Sequence, residues 1–125
     1  MFDKYLVTGA TGFLGRAVAE ELVRRKAQVH ALVLHDDPGP RLYQVNVGGT
    51  WRVLRQCMAH DVGKMVYVSS VHAIPEKPKG CIITEDCEFS PGLVDGDYAK
   101  SKAAATELVF DAAERGLNAS IVFPS

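Results

Sequence analysis

The sequence predicts an α/β protein, a three-layer doubly wound parallel sheet, in a single domain over residues 1–125. Three observations predict it. Short apolar runs alternate with amphipathic stretches, the order that a parallel sheet with crossover helices requires. A glycine-rich turn joins the first run to the first amphipathic stretch, the context in which a backbone cradles an anion. The chain has 125 residues, 47% hydrophobic and 23% charged, enough for one domain and its core.

Taken in order, residues 4–8 (Lys-Tyr-Leu-Val-Thr) read as a strand, and residues 13–27 as a helix with Leu14, Val18, Leu22 and Val23 at helical spacing. Residues 28–34 read as a second strand. Residues 35–40 (His-Asp-Asp-Pro-Gly-Pro) are a loop, because two prolines and a glycine block regular structure. Residues 41–60 read as a helix with Leu42, Val45, Val53, Leu54, Cys57 and Met58 on its apolar side. Gly48 and Gly49 inside it cost about 2 kcal/mol of propensity, which predicts a close backbone contact there. Residues 64–69 read as a third strand, and residues 72–96 as a long polar loop. Residues 97–115 read as an alanine-rich helix stopped by Gly116. Residues 118–123 read as a fourth strand.

Composition excludes several classes. The formal net charge is −1, with no basic stripe or acidic tail, so charge points to neither a nucleic-acid nor a membrane partner. No apolar run approaches the roughly 18–20 residues of a membrane span, and Met1 to Tyr5 carry no signal-peptide pattern. The three cysteines, Cys57, Cys81 and Cys87, lack metal spacing. Each is read as a small buried or half-buried thiol, and together they fit a reducing cytoplasm. No metal is expected. A small-molecule substrate is, with a homodimer as the assembly to consider.

The residues that carry chemistry fall in three places. Gly9, Gly12 and Gly15 form a G-x-x-G-x-x-G turn, Thr-Gly-Ala-Thr-Gly-Phe-Leu-Gly, between strand and helix. Glycine lets the backbone approach a pyrophosphate, and the helix N-terminus offers free N–H groups and a partial positive charge. Tyr98 and Lys102 are four apart at the start of a helix and so share a face. A tyrosine with an ordinary pKa of about 10 needs a neighbouring ammonium to move a proton at neutral pH. Ser69 and Ser70 end a strand, where ligands sit in doubly wound sheets. A serine hydroxyl there either donates to a substrate oxygen or caps the strand end.

Together these stretches resemble the extended short-chain dehydrogenase/reductase family, which includes NAD-dependent epimerases and dehydratases and dihydroflavonol-reductase-like enzymes. The resemblance covers residues 2–34 and 41–125. It rests on Val-Thr-Gly-Ala-Thr-Gly-Phe-Leu-Gly, Asn46-Val-Gly-Gly-Thr50, Val-Tyr-Val-Ser-Ser, Tyr98-Ala-Lys-Ser-Lys102 and the terminal Phe-Pro124-Ser125. It implies a Rossmann-like fold and a NAD(P)-dependent oxidoreductase or epimerase acting on a hydroxyl or carbonyl of a small molecule, with sugar nucleotides among the candidates. Tyr98 would be the general acid/base. Lys102 would make Tyr98 easier to deprotonate and bind the nicotinamide ribose. Ser70 would hydrogen-bond the reacting oxygen, with Ser69 beside it. The cofactor would lie along Gly9, Thr11, Gly12, Phe13, Leu14 and Gly15, supported by Asn46, with Pro124 and Ser125 near the nicotinamide.

The chain departs from this family twice. Only six residues, 35–40, stand where the family places two strands and a helix, which reads as a loss of several tens of residues. The sequence also stops where the family continues into a substrate-binding region. The fold is therefore expected to be incomplete, and a truncated non-catalytic remnant that binds nucleotide weakly or not at all is the competing expectation. Cofactor choice turns on the end of the second strand, where Val33 and Leu34 stand, followed by Asp36 and Asp37 with no arginine. This favours NAD and does not exclude NADP. In a continuous chain, residues 64–69 are expected to close against residues 4–8. The sheet order would then be 2-1-3-4, displacing Ser70 and Tyr98 by about one strand spacing, 4.8 Å, and removing catalysis.

Overall fold

A computed structural model describes residues 4–33 and 42–125. The chain forms two compact units, Met1–Gly39 and Pro40–Ser125, and each is described by itself. Leu34, Asp36, Asp37 and the expected 35–40 loop lie outside the described residues, so the cofactor-selecting end of the second strand is described only as far as Val33.

The first unit is a β–α–β element: β1 (Lys4–Thr8), α1 (Phe13–Arg24) and β2 (Gln28–Leu32). The strands pair in parallel, from Lys4 opposite Gln28 to Thr8 opposite Leu32. Tyr5, Val7 and Val29 are half-buried, whereas Leu6 and Leu32 on the alternate positions are exposed, the period of two that a strand imposes. Helix α1 ends three residues before the expected boundary. Lys26 takes a left-handed φ of 61°, and the N–H groups of Lys26 and Ala27 close back onto the carbonyls of Val23 and Leu22. Of its predicted apolar positions only Leu22 is half-buried, while Leu14, Val18 and Val23 are exposed. Two strands about 4.8 Å apart offer too narrow a platform to cover a whole helix stripe. Arg24 and Arg25 share the Glu21 carboxylate at 2.7 Å each and hold its pKa down at about 2.

The second unit carries a π-helical turn (Gln44–Gly49), α2 (Thr50–Ala59), β3 (Met65–Val68), two short 3₁₀ turns (Val71–Ala73 and Pro91–Leu93), α3 (Asp97–Glu114) and β4 (Ala119–Val122). The helix expected over 41–60 is thus helical through its described residues, with a π-helical stretch at Gln44–Gly49 interrupting the α-helix. Gly48 and Gly49 meet no close neighbour, since a Cβ on either would find nothing nearer than 4.0 Å. The close backbone contact predicted there is not formed. The glycines instead lie in the widened turn, where weak helix propensity lets the backbone leave the α register. Strands β3 and β4 pair in parallel from Met65 opposite Ala119 to Val68 opposite Val122.

The core of this unit is Leu54 of α2, Tyr67 of β3, Ala105, Val109 and Ala112 of α3, and Leu117. Met65, Ala119 and Ile121 pack against it, so one face of the β3–β4 pair is covered by α2 and α3. A second cluster, Ala73, Val94, Ala99 and Ala103, fastens both ends of the long loop to the first turns of α3. Phe89 stacks on Phe123 and tilts against Phe110, with ring centroids 5.2 Å apart in both pairs. Helix α3 stops where Gly116 takes a φ of 104°, as its position in the sequence predicts.

The described ladders are β1–β2 in the first unit and β3–β4 in the second. One expectation is corrected. Cys57 and Cys87 are half-buried as expected, but Cys81 is exposed. It sits on a turn whose N–H bonds back to the Pro78 carbonyl at 3.0 Å, and that turn presents its side chain to solvent.

Candidate functional site

In the first unit, the turn between β1 and α1 depends on glycine at two positions for different reasons. Gly9 takes a φ of 65°, a left-handed conformation that side chains disfavour. At Gly15 a Cβ would stand 2.1 Å from the Gly9 carbonyl oxygen, so only a glycine lets α1 approach the turn. Gly12 differs from both. Its φ is −79°, and a Cβ there would meet only the Gly9 oxygen at 3.4 Å. The protein itself tolerates a side chain at Gly12, so the open space beside it is free for a ligand.

Helix α1 begins with no side-chain cap and no acidic residue in its first turn. Its leading N–H groups and the positive end of its dipole are therefore available to an anion. The geometry fits a pyrophosphate. Thr11, Phe13 and Leu14 are exposed at this end, Phe13 to 98%.

In the second unit the structure gathers Ser69, Ser70, Asn46, Tyr98 and Lys102 around the end of β3 and the start of α3. Ser70 is buried and caps the turn Val71–Ala73, where its Oγ accepts the His72 N–H at 3.2 Å. That bond occupies a lone pair, and among the described residues the hydroxyl proton has no acceptor. Tyr98 is 45% exposed, and its ring stands edge-on to His72 at a centroid distance of 6.3 Å. The Val71 N–H donates to the Pro124 carbonyl at 3.3 Å, which brings the Phe-Pro-Ser terminus beside the serine pair. The side of Ser125 is exposed.

Lys102 is half-buried, and its ammonium donates to the Val68 carbonyl at 2.9 Å while standing 5.3 Å from the centre of the Tyr67 ring. Burial pushes its pKa below the usual lysine range. Among the described residues the buried Tyr67 hydroxyl has no hydrogen-bond partner. Thr50 lies beside it, acting to lower a phenol pKa that burial raises, but outside good hydrogen-bonding geometry.

Ser69 is 3% exposed, and its hydroxyl is paired with that of Thr106 at 2.7 Å. Asn46 is half-buried in the π-helical turn and donates through Nδ2 to the Ser101 Oγ at 3.0 Å. Both side chains therefore bind α3. Sequence reasoning did not single out Ser101, Thr106 or His72. The available signal for the first two was a hydroxyl residue within an alanine-rich helix, where a buried polar group demands a partner.

Comparison with known proteins agrees with this architecture. The model of the 3-beta hydroxysteroid dehydrogenase/isomerase family matches residues 33–120, and a male sterility protein model matches residues 7–38. A putative dihydroflavonol 4-reductase of Synechocystis sp. is 27% identical over 169 positions, covering 100% of this chain and 49% of that protein. Set against the 125 residues of this chain, those 169 positions leave 44 (169 − 125) with no counterpart in it. This accords with a loss of several tens of residues.

Among solved structures, the terminal R domain from the myxalamid PKS-NRPS biosynthetic pathway superposes with a TM-score of 0.83 at 26% identity, over 97% of this chain and 48% of that one. A short-chain dehydrogenase/reductase superfamily protein from Agrobacterium tumefaciens, crystallised with bound NAD, gives a TM-score of 0.80 at 24% identity, over 96% of this chain and 48% of that one. The fold is Rossmann-like and incomplete relative to these proteins. The chain spans about half the length of the relatives it matches.

Proposed function

The chain belongs to the 3-beta hydroxysteroid dehydrogenase/isomerase family, within the extended short-chain dehydrogenases/reductases, and on that premise we propose that it serves a NAD(P)-dependent oxidoreductase or epimerase acting on a hydroxyl or carbonyl of a small molecule. The observation that carries this reading is that a buried Ser70 caps the turn after β3, whose His72 stands edge-on to the half-exposed Tyr98 at the N-terminal end of α3. Ser70 donates to the reacting oxygen and holds it. Tyr98 takes the proton from a substrate alcohol, or returns it to a carbonyl. Lys102 spends one of its three N–H donors on Val68 and offers the others to a ribose diol.

The glycine turn holds the pyrophosphate through backbone N–H groups. When bound, the nicotinamide exchanges a hydride with the substrate carbon. NAD is the favoured cofactor, because no arginine stands among residues 33–37 at the end of the second strand. We read both units as one partial NAD(P)-binding domain. A homodimer is the proposed assembly, and the cytoplasm, with its reducing poise, suits three free cysteines. Among the described residues no helix is long and apolar enough to cross a membrane.

A second reading is favoured by the half-length match to relatives: a non-catalytic remnant that binds nucleotide weakly or not at all. Titrating the whole chain with NADH, followed by nicotinamide fluorescence, separates the two when combined with turnover of Tyr98→Phe. The enzyme reading expects saturable binding in both proteins and a loss of turnover by orders of magnitude in the variant. Saturable binding with no turnover in either, or no binding at all, supports the remnant and overturns the enzyme reading.

A further inference from the structure

We propose that Ser101 and Thr106 are positioning residues that set where α3 presents Tyr98 and Lys102. The inference rests on the reading of those two residues as the working pair of the site. Both hydroxyls are completely buried, and both do the same two things. Ser101 Oγ donates to the Tyr98 carbonyl at 2.8 Å, and Thr106 Oγ1 donates to the Lys102 carbonyl at 2.8 Å. Each then accepts a bond from a different element. Asn46 Nδ2 of the π-helical turn donates to Ser101 at 3.0 Å. Ser69, at the end of β3, lies 2.7 Å from Thr106. The single Thr106 proton is already engaged, so Ser69 is the donor.

The helix does not need these hydroxyls for its own stability. Ala103 and Ala105, buried on the same helix, have better helix propensity and leave no polar group to satisfy. A serine or threonine that bonds back to the carbonyl three or four residues earlier tends to bend a helix. Alanine surfaces are small and smooth, and their packing specifies axial position and rotation weakly. The two clips supply what alanine packing lacks. Their carbonyl ends are those of Tyr98 and Lys102, and their far ends are the residue before Ser70 and the turn that carries Asn46. One frame of hydrogen bonds thus holds Ser70, Tyr98 and Lys102 in register.

The test uses the whole chain labelled with carbon-13 in tyrosine and lysine side chains, with no cofactor or substrate present. Ser101→Ala is expected to shift the Tyr98 ring resonance, and Thr106→Val the Lys102 side-chain resonance. Ser101→Thr and Thr106→Ser, which keep the hydroxyls, should bring each back. Thr106→Val alone strands the buried Ser69 hydroxyl and loses stability. The double variant Ser69→Ala/Thr106→Val removes both polar groups. It should recover the unfolding midpoint while the Lys102 resonance stays displaced, an outcome that a purely structural role does not produce. Wild-type resonances in folded Ser101→Ala and in the folded double variant overturn the proposal. If Ser101→Ala does not fold, the double variant decides alone. A chain that binds no NADH yet shows these shifts refutes the proposed function and keeps the positioning role.

Discussion

The ammonium of Lys102 donates to the main-chain carbonyl of Val68 at 2.9 Å, which ties the second turn of α3 to the last residue of β3. The bond bridges 34 positions of sequence and places a half-buried cation directly behind the serine pair. It has a consequence for stability that can be measured.

Burial pushes the Lys102 pKa below its ordinary 10.5, so the folded chain gives up this proton before the unfolded chain does. Between the lowered value and 10.5 the unfolded state holds more protons, and stability rises with pH across that window. Below the window the burial penalty is fully present. Cys57 and Tyr67, whose burial raises their pKa values, act oppositely on the alkaline side, with stability falling as pH rises past their unfolded values. In Lys102→Met only the lysine contribution disappears. Urea unfolding from neutral pH up to about 11 should therefore show a wild-type minus variant difference that climbs with pH, above a constant offset from the lost Val68 bond. A flat difference would mean that Lys102 titrates as it does in the unfolded chain.

The glycine turn predicts two opposite failures. Gly15→Ala forces a Cβ against the Gly9 carbonyl, 2.1 Å away, and should destabilise the fold by about 1–3 kcal/mol, the usual cost of overpacking. Gly12→Ala meets only an ordinary contact and should cost about 1 kcal/mol or less, as a change at a helix N-cap does. Gly12→Val should abolish dinucleotide affinity while the chain stays folded. Thermal unfolding and an NADH titration of these variants check both halves. Retained affinity in Gly12→Val would place the cofactor elsewhere.

Among the described residues the buried Tyr67 hydroxyl has no partner, while its ring lies under the Lys102 ammonium. Tyr67→Phe keeps the ring and removes the unsatisfied group, whose burial costs about 1–3 kcal/mol. The variant should be at least as stable as the parent in denaturant unfolding. A clear loss of stability would reveal that the hydroxyl is bonded in solution, with Thr50 the residue to examine next.

Much of this was legible along the chain. The order of strands and helices, the parallel pairing and the stop at Gly116 follow from periodicity and from glycine chemistry, which act within a few residues. The glycine turn was equally legible, because its demands, a left-handed φ at Gly9 and room beside the Gly9 carbonyl at Gly15, act within a few residues. Less legible was how far each apolar stripe is buried: Leu14, Val18 and Val23 recur at the right spacing yet remain exposed. Periodicity states which face would be buried, and the width of the surface opposite decides whether it is.

The sequence by itself determined the local rules: which segments are helix or strand, where the backbone must turn, and which residue types stand ready for proton transfer. Tertiary structure alone decided what each polar group spends its hydrogen bonds on. Ser69 and Ser70 are identical side chains on adjacent residues, yet alternation along β3 sends the first into Thr106 of α3 and lets the second cap a turn. Asn46 reaches Ser101 across 55 positions, and Lys102 reaches the Val68 carbonyl across 34. Such partners are chosen by the packing of α3 on β3 and on the π-helical turn, and a buried hydroxyl or ammonium must take whichever acceptor or donor that packing brings within about 3 Å.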